Sequence, residues 1–177
     1  MSRLSVASPL PLRLRRACGR TLAVVALTVP LLAPGVRAQE SPLSVATVQS
    51  LLAQGDAAAA GGNLGEARRL YDQARDASRQ LVGFYRDLSG AFRGLDARIP
   101  REMDDKGRLA LDKLAQANLR LAALFRRQNQ PEVAIPLLVD VVKTMTPSSD
   151  FGRKAYSELL EIGFVSTPYT FPGSGGS

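Results

Sequence analysis

The chain of 177 residues carries 23 basic and 16 acidic side chains, a single cysteine and no histidine. This length suits one domain that is large enough to bury a core. Without histidine the chain lacks the commonest general base and the ordinary zinc ligand sets, and a lone cysteine cannot form an internal disulfide.

The basic excess is concentrated at the N-terminus, in a segment with the layout of a secretory signal peptide. Arginines within residues 13–20 precede an apolar run at residues 22–32, and Val36-Arg37-Ala38 is a small-x-small cleavage pattern. The run is shorter than the roughly 20 apolar residues of a spanning helix. We therefore expect residues 1–38 to be removed and the remainder to be exported to the periplasm, or to the thylakoid lumen in a photosynthetic source. The Arg15-Arg16 pair leaves general secretion and twin-arginine export both open.

Removal of this leader changes the charge of the protein. Six of the 23 basic residues and none of the acidic ones lie within residues 1–38, so 17 basic and 16 acidic residues remain. A nucleic-acid binder needs a basic footprint on its folded domain, so we expect no nucleic-acid partner. Cys18 also lies in the leader, which leaves the exported form without a thiol. We expect no cofactor, no metal and no catalytic residue.

Apolar periodicity predicts an all-α protein of about five helices. The first helix is predicted at residues 48–60, and the second begins at Leu64, after an Asn63–Glu66 capping pair. Ile99-Pro100 is expected to end the second helix, because the residue before proline avoids the helical region. The remaining helices are predicted at residues 102–128, 131–145 and 150–162.

The second and third predicted helices should form a long antiparallel hairpin at the centre of the fold. Apolar residues recur along the second helix at alternating spacings of three and four, from Leu64 to Leu95. The third helix has two adjoining apolar seams and should therefore be contacted on two sides. Gly83, Gly90 and Gly94 weaken the far end of the second helix, which we expect to fray or bend.

The sequence divides into three parts. Residues 1–38 form the leader, residues 39–163 the helical domain, and residues 164–177 a tail that is first aromatic and proline-rich and then rich in glycine and serine. The aromatic side chains of the tail either fold back over the helices or remain mobile as a docking peptide.

Two segments resemble tetratricopeptide repeats. In the first, residues 48–77, Gly55 stands at the glycine of helix A, and Ala67 and Tyr71 stand at the alanine and the large residue of helix B. The tryptophan place of the pattern is occupied by Leu51.

The second segment is residues 116–146. The helix-A leucine, small and aromatic places are taken by Leu121, Ala122 and Phe125, and the helix-B pair by Ala134 and Leu138; Asn118 stands at the tryptophan place. Ala67 and Ala134 are 67 residues apart, close to two periods of about 34. The resemblance implies repeat-like helix pairs that flank the central hairpin and present a groove to a protein partner without catalysing a reaction.

In such repeats the first helix of each pair lines the groove. Position by position, the resemblance nominates five polar residues as partner-binding: Gln49, Asp56, Gln116, Arg126 and Arg127. Their polarity gives them no packing reason to be buried. Alanine at Arg126 or Arg127 is expected to lower stability by no more than about 0.5 kcal/mol.

Two charged features remain open to a functional or a structural interpretation. Glu102, Asp104 and Asp105 could perform acid–base chemistry or bind a hard cation, or they could simply complement a helix macrodipole. An arginine stripe on the second helix could bind an acidic partner or anionic lipid headgroups at a membrane surface, or be a solvated face neutralised by neighbouring aspartates. The stripe consists of Arg68, Arg75, Arg79, Arg86 and Arg93.

These observations favour an exported, non-catalytic protein-interaction module, an assembly or stability factor for a membrane-associated complex. The first alternative is a permanent helix-bundle subunit of such a complex. The second is a cell-wall hydrolase that uses the acids between Glu102 and Asp105.

Overall fold

The computed structural model describes residues 41–170, which form five α-helices and no strand. The helices are α1 (Val45–Ala60), α2 (Leu64–Ala91), α3 (Arg98–Arg127), α4 (Pro131–Met145) and α5 (Asp150–Ile162). The predicted all-α class and the number of helices are confirmed. The predicted leader and residues 171–177 of the tail lie outside the described residues.

The first helix begins three residues earlier than predicted. Ser44 is its N-cap, and the Ser44 hydroxyl accepts a hydrogen bond of 3.1 Å from the backbone N–H of Thr47. Serine at this position satisfies one of the donors that a helix start leaves unpaired. The predicted cap at Asn63 is confirmed, because its side chain accepts from the N–H of Glu66 at 3.1 Å.

The predicted long hairpin is formed by α2 and α3, which contain 28 and 30 residues. The expected stop at Ile99-Pro100 is wrong. The second helix already ends at Ala91, and a turn with Gly94 at φ 85° leads into α3 at Arg98. Glycine adopts this left-handed conformation without the steric cost of a side chain. Pro100 is the third residue of α3, where the missing N–H has no partner within the helix.

The third helix lies at the centre of the fold, as its two apolar seams predict. It contacts all four other helices of the described range. Its buried side chains include Leu121, Leu124 and Phe125, and they share one core with Leu52 of α1 and Leu138 of α4.

The odd-numbered helices lie side by side and run in the same direction. Lys113 Nζ donates to Gln49 Oε1, and Arg120 Nε donates to Asp56 Oδ1, so both links between α1 and α3 join residues 64 positions apart. A constant offset is the signature of a parallel pair. The fifth helix lies on the other side of α3, where Arg126 contacts Glu158. We call the surface shared by these three helices the α1–α3–α5 face.

The hairpin is longer than the helices that flank it. The first helix starts only four residues before its Gln49–Lys113 link, and α4 ends five residues after Asp140, which bonds Asn118 at 2.9 Å. Residues 82–109, which we call the hairpin tip, therefore extend past both neighbours. Between residues 82 and 109 only Ser89 is buried.

Candidate binding surfaces

The structure brings the five nominated residues to one surface, the α1–α3–α5 face. Gln49 and Asp56 lie along the seam between α1 and α3, whereas Gln116 and Arg126 lie toward α5. Arg127, the fifth, is exposed in the last turn of α3. Whether this face binds a partner stays a prediction.

Asp56 is already engaged within the chain. Arg120 donates to both of its carboxylate oxygens, Nε to Oδ1 at 2.8 Å and the second guanidinium nitrogen to Oδ2 at 3.0 Å. The hydroxyl of Tyr71 donates to Oδ1 at 2.7 Å. The hydrogen bonds from Arg120 lower the pKa of Asp56 despite its partial burial, and the hydrogen bond from Tyr71 lowers this pKa as well. Burial, followed by the bond to Asp56, raises the pKa of Tyr71.

Arg126 is likewise a link between helices. Its guanidinium donates to Glu158 at 3.3 Å and to Glu161 at 2.7 Å, both on α5. The side chain of Glu158 is only 12% exposed, so the ion pair is partly removed from solvent. Arg126 therefore has a structural role between α3 and α5, which its polarity alone does not indicate.

Gln116 and Arg127 are less constrained. Gln116 lines a shallow cleft of about 250 Å³ between α3 and α5, together with Phe151 and Lys154. Arg127 forms no ion pair with a carboxylate of residues 41–170. Among the five nominated residues, Gln116 and Arg127 are therefore the two whose side chains are not engaged by a hydrogen bond or an ion pair within residues 41–170.

The described part of the tail folds back onto α5. The Tyr156 hydroxyl donates to the carbonyl of Thr167 at 2.7 Å, and the Tyr156 and Tyr169 rings meet edge to face with centroids 6.3 Å apart. Phe164 remains 55% exposed. Phe171 lies outside the described residues.

The acids nominated for chemistry are paired along the surface of α3. Glu102 accepts from Lys106, and Asp105 pairs with Arg108, each about one turn away. Asp104 accepts a hydrogen bond of 2.7 Å from the Ser89 hydroxyl of α2. No cluster of acids with metal-binding geometry occurs among residues 41–170. All three acids lie beyond the first turn of α3, which begins at Arg98, so the macrodipole interpretation is wrong. Glu102 and Asp105 instead form local ion pairs along α3, and Asp104 contributes to its contact with α2.

The arginine stripe divides into two parts. Toward the start of α2, Arg68 and Arg75 pair with Asp72, and Arg79 reaches Asp140 of α4 at 3.5 Å. Farther along, two arginines of the hairpin tip form no ion pair with a carboxylate of the described range. They are Arg86 and Arg93.

These two arginines line a cleft of about 300 Å³ at the hairpin tip, between α2 and α3. Its walls include Val82 and Arg86 from α2, Arg93 from the turn after α2, and Met103, Arg108 and Leu111 from α3. This cleft was not predicted from the sequence. The one indication of it in the sequence is that the apolar patterns of α2 and α3 continue for longer than α1 and α4 can cover.

The hairpin tip also exposes large apolar side chains outside the cleft. The exposed fractions are 53% for Phe84, 45% for Leu88, 80% for Leu95 and 51% for Leu109. The tip therefore offers two surfaces, a basic cleft and an apolar flank that begins with Phe84 and Leu88.

None of the helices within residues 41–170 combines the length and the apolar character needed to cross a membrane. Comparison of the chain with protein-family models, with curated proteins and with solved structures finds no match.

Proposed function

We propose that the chain is an exported, non-catalytic protein-interaction module that helps to assemble or stabilise a membrane-associated complex. The observation that carries this proposal is the hairpin tip, which extends beyond its neighbours and exposes Phe84, Leu88, Leu95 and Leu109. Phe84 and Leu88 lie one turn apart on the same side of α2, and adjacent exposed apolar side chains of this size are typical of binding surfaces.

The fold supplies a rigid base for such a tip. The part of the hairpin away from the tip packs against α1 and α4, and Leu52 and Leu138 of these helices are fully buried in the shared core. A surface held in place by packed helices loses little conformational freedom when it binds, which favours affinity. The cleft beside Gln116, between α3 and α5, offers a second polar surface, on the face that the resemblance to tetratricopeptide repeats nominates as the groove.

A permanent structural subunit is the second candidate, and the same apolar flank supports it. Obligate interfaces are more apolar than transient ones. The two candidates differ in the behaviour of the isolated protein. A transient module is expected to remain monomeric and soluble, whereas a permanent subunit should aggregate or co-purify with one stoichiometric partner.

The hydrolase alternative gains no support from the geometry. A glycosidase of the common type needs two carboxyl groups that face one another across a substrate cleft. Glu102 and Asp105 are instead exposed on one helix and paired with neighbouring bases.

The test is affinity capture from the native exported fraction with the apolar flank altered. Phe84→Ser/Leu88→Ser should lose the partner that the unchanged protein captures. Val133→Ser provides the matched control, because Val133 is also an exposed apolar residue, 38% exposed on α4. Equal capture by all three proteins would overturn the assignment of the flank.

A further inference from the structure

The fourth helix carries an acidic side chain that binds to both helices of the hairpin. Asp140 of α4 accepts from Asn118 of α3 at 2.9 Å and pairs with Arg79 of α2 at 3.5 Å. A carboxylate on a helix packed against α3 thus joins both helices of the hairpin.

The arginine that binds Asp140 belongs to a series that continues past the end of α4. Arg79 and Arg86 are seven residues apart, so they lie on the same side of α2, and Arg93 stands two residues beyond the end of this helix, in the turn that leads to α3. The fourth helix ends at Met145, five residues or about 7.5 Å beyond Asp140, whereas Arg86 lies about 10.5 Å beyond Arg79. The helix therefore stops before the next arginine of the series.

The cleft begins where α4 ends. Its apolar walls are formed by Val82, Met103 and Leu111, and its edges carry Arg86 and Arg93. Asp104 also lines the cleft, and the Ser89 hydroxyl donates to its carboxylate. The cleft thus resembles the surroundings of Asp140, because arginines border apolar side chains of the hairpin in both places. Unlike Arg79, however, Arg86 and Arg93 pair with no carboxylate of the described residues.

We propose that this cleft binds an acidic amphipathic helix of a partner protein, which continues the line of α4 along the hairpin. The inference rests on the proposed function, because it assigns a partner chemistry to the hairpin tip. Acidic side chains along one edge of the incoming helix face Arg86 and Arg93, and apolar residues between them cover Val82 and Met103. A cleft between two helices suits a convex helix better than a flat bilayer surface.

The probe is a fluorescein-labelled helical peptide of roughly 16 residues, about 24 Å long. It carries an apolar stripe at helical spacing and glutamates seven residues apart along one edge. A second peptide has glutamine at those positions. Fluorescence anisotropy with the complete exported chain measures both affinities. The glutamate peptide should bind about tenfold more tightly, which corresponds to two partly desolvated charge pairs.

Arg86→Gln/Arg93→Gln should abolish the preference for the glutamate peptide. Arg101→Gln removes an exposed arginine of α3 that does not line the cleft and should leave the preference unchanged. Circular dichroism melts of each variant establish that it is folded. Equal binding of the two peptides, absence of binding, or a preference that survives the double substitution would overturn the proposal.

Vesicles of phosphatidylglycerol provide the competing ligand. Vesicle binding that depends on Arg86 and Arg93, without a peptide preference, would assign the arginines to a membrane surface and reject the helix proposal. The proposed function is judged separately, because Phe84 and Leu88 do not line the cleft. Loss of capture in the Phe84/Leu88 variant would preserve the interaction function even when the peptides fail to bind.

Discussion

The guanidinium of Arg120 binds both carboxylate oxygens of Asp56, at 2.8 and 3.0 Å, and thereby joins the central helix to α1. A bidentate pair of this kind fixes orientation as well as distance. The Tyr71 hydroxyl bonds the same carboxylate, so one acid connects three helices. This cluster determines how α1 lies against the long hairpin.

Arg120→Met should lower the free energy of unfolding by about 1 kcal/mol, because the half-exposed Asp56 then loses its charged partner. Arg127→Met, on the same helix but without a described ion pair, should change it by less than about 0.5 kcal/mol. Urea unfolding followed by circular dichroism measures both. Equal effects would show that the Asp56–Arg120 pair adds nothing to stability.

The same cluster predicts an acid-dependent loss of stability. The pKa of Asp56 is lowered in the folded protein, so its ionised form stabilises the fold above the unfolded value of about 3.9. That contribution is lost as the pH falls through the lowered pKa. Asp56→Asn should therefore be less stable than the parent at pH 7, and the difference should shrink at pH 3. A difference in melting temperature that is constant with pH would contradict this account.

Gly55 and Gly83 should respond to alanine in opposite directions. A Cβ at position 55 would overlap the ring of Tyr71, whereas a Cβ at position 83 meets no atom within 4 Å. Gly55→Ala is expected to cost about 1–3 kcal/mol through overpacking. Gly83→Ala should instead stabilise by about 0.5–1 kcal/mol through helix propensity. Thermal melts of the two variants test the pair, and stabilisation by Gly55→Ala would refute the close packing of α1 on α2.

Alanine substitutions at Arg126 and Arg127 should differ in their effect on the free energy of unfolding, although the sequence predicts the same small effect for both. Arg126→Ala leaves the mostly buried Glu158 without its guanidinium partner and should cost about 1–2 kcal/mol. Arg127→Ala should stay within about 0.5 kcal/mol. Chemical unfolding separates them. A cost below about 0.5 kcal/mol for Arg126→Ala would restore the sequence-based expectation that both residues are dispensable for folding.

Local signals in the sequence predict most of the fold. The Asn63–Glu66 pair marks the start of α2, and apolar spacing identifies the helices and their central hairpin. The error at Pro100 arises because the same residue type can end one helix or stand in the first turn of the next. Gly94, in its left-handed turn, is the residue at which the chain reverses.

The candidate surfaces were only partly predictable, because they depend on which helices end first. Periodicity shows that Phe84 and Leu88 continue an apolar pattern, but not that α1 and α4 stop short of them. Polarity likewise suggested that Asp56 and Arg126 were available for a partner. Their partners within the chain, Arg120 and Glu158, lie 64 and 32 residues away and become visible only in three dimensions.

The most direct test of the proposed interaction function is crosslinking in the cells that produce the protein, with a photoreactive phenylalanine analogue placed at single positions. Leu88 reports on the hairpin tip, Arg127 on the α1–α3–α5 face, and the exposed Arg69 serves as the control. The account predicts a discrete protein adduct at Leu88 and none at Arg69. No adduct at Leu88, or adducts at Arg127 alone, would contradict the claim that the tip is the principal docking surface.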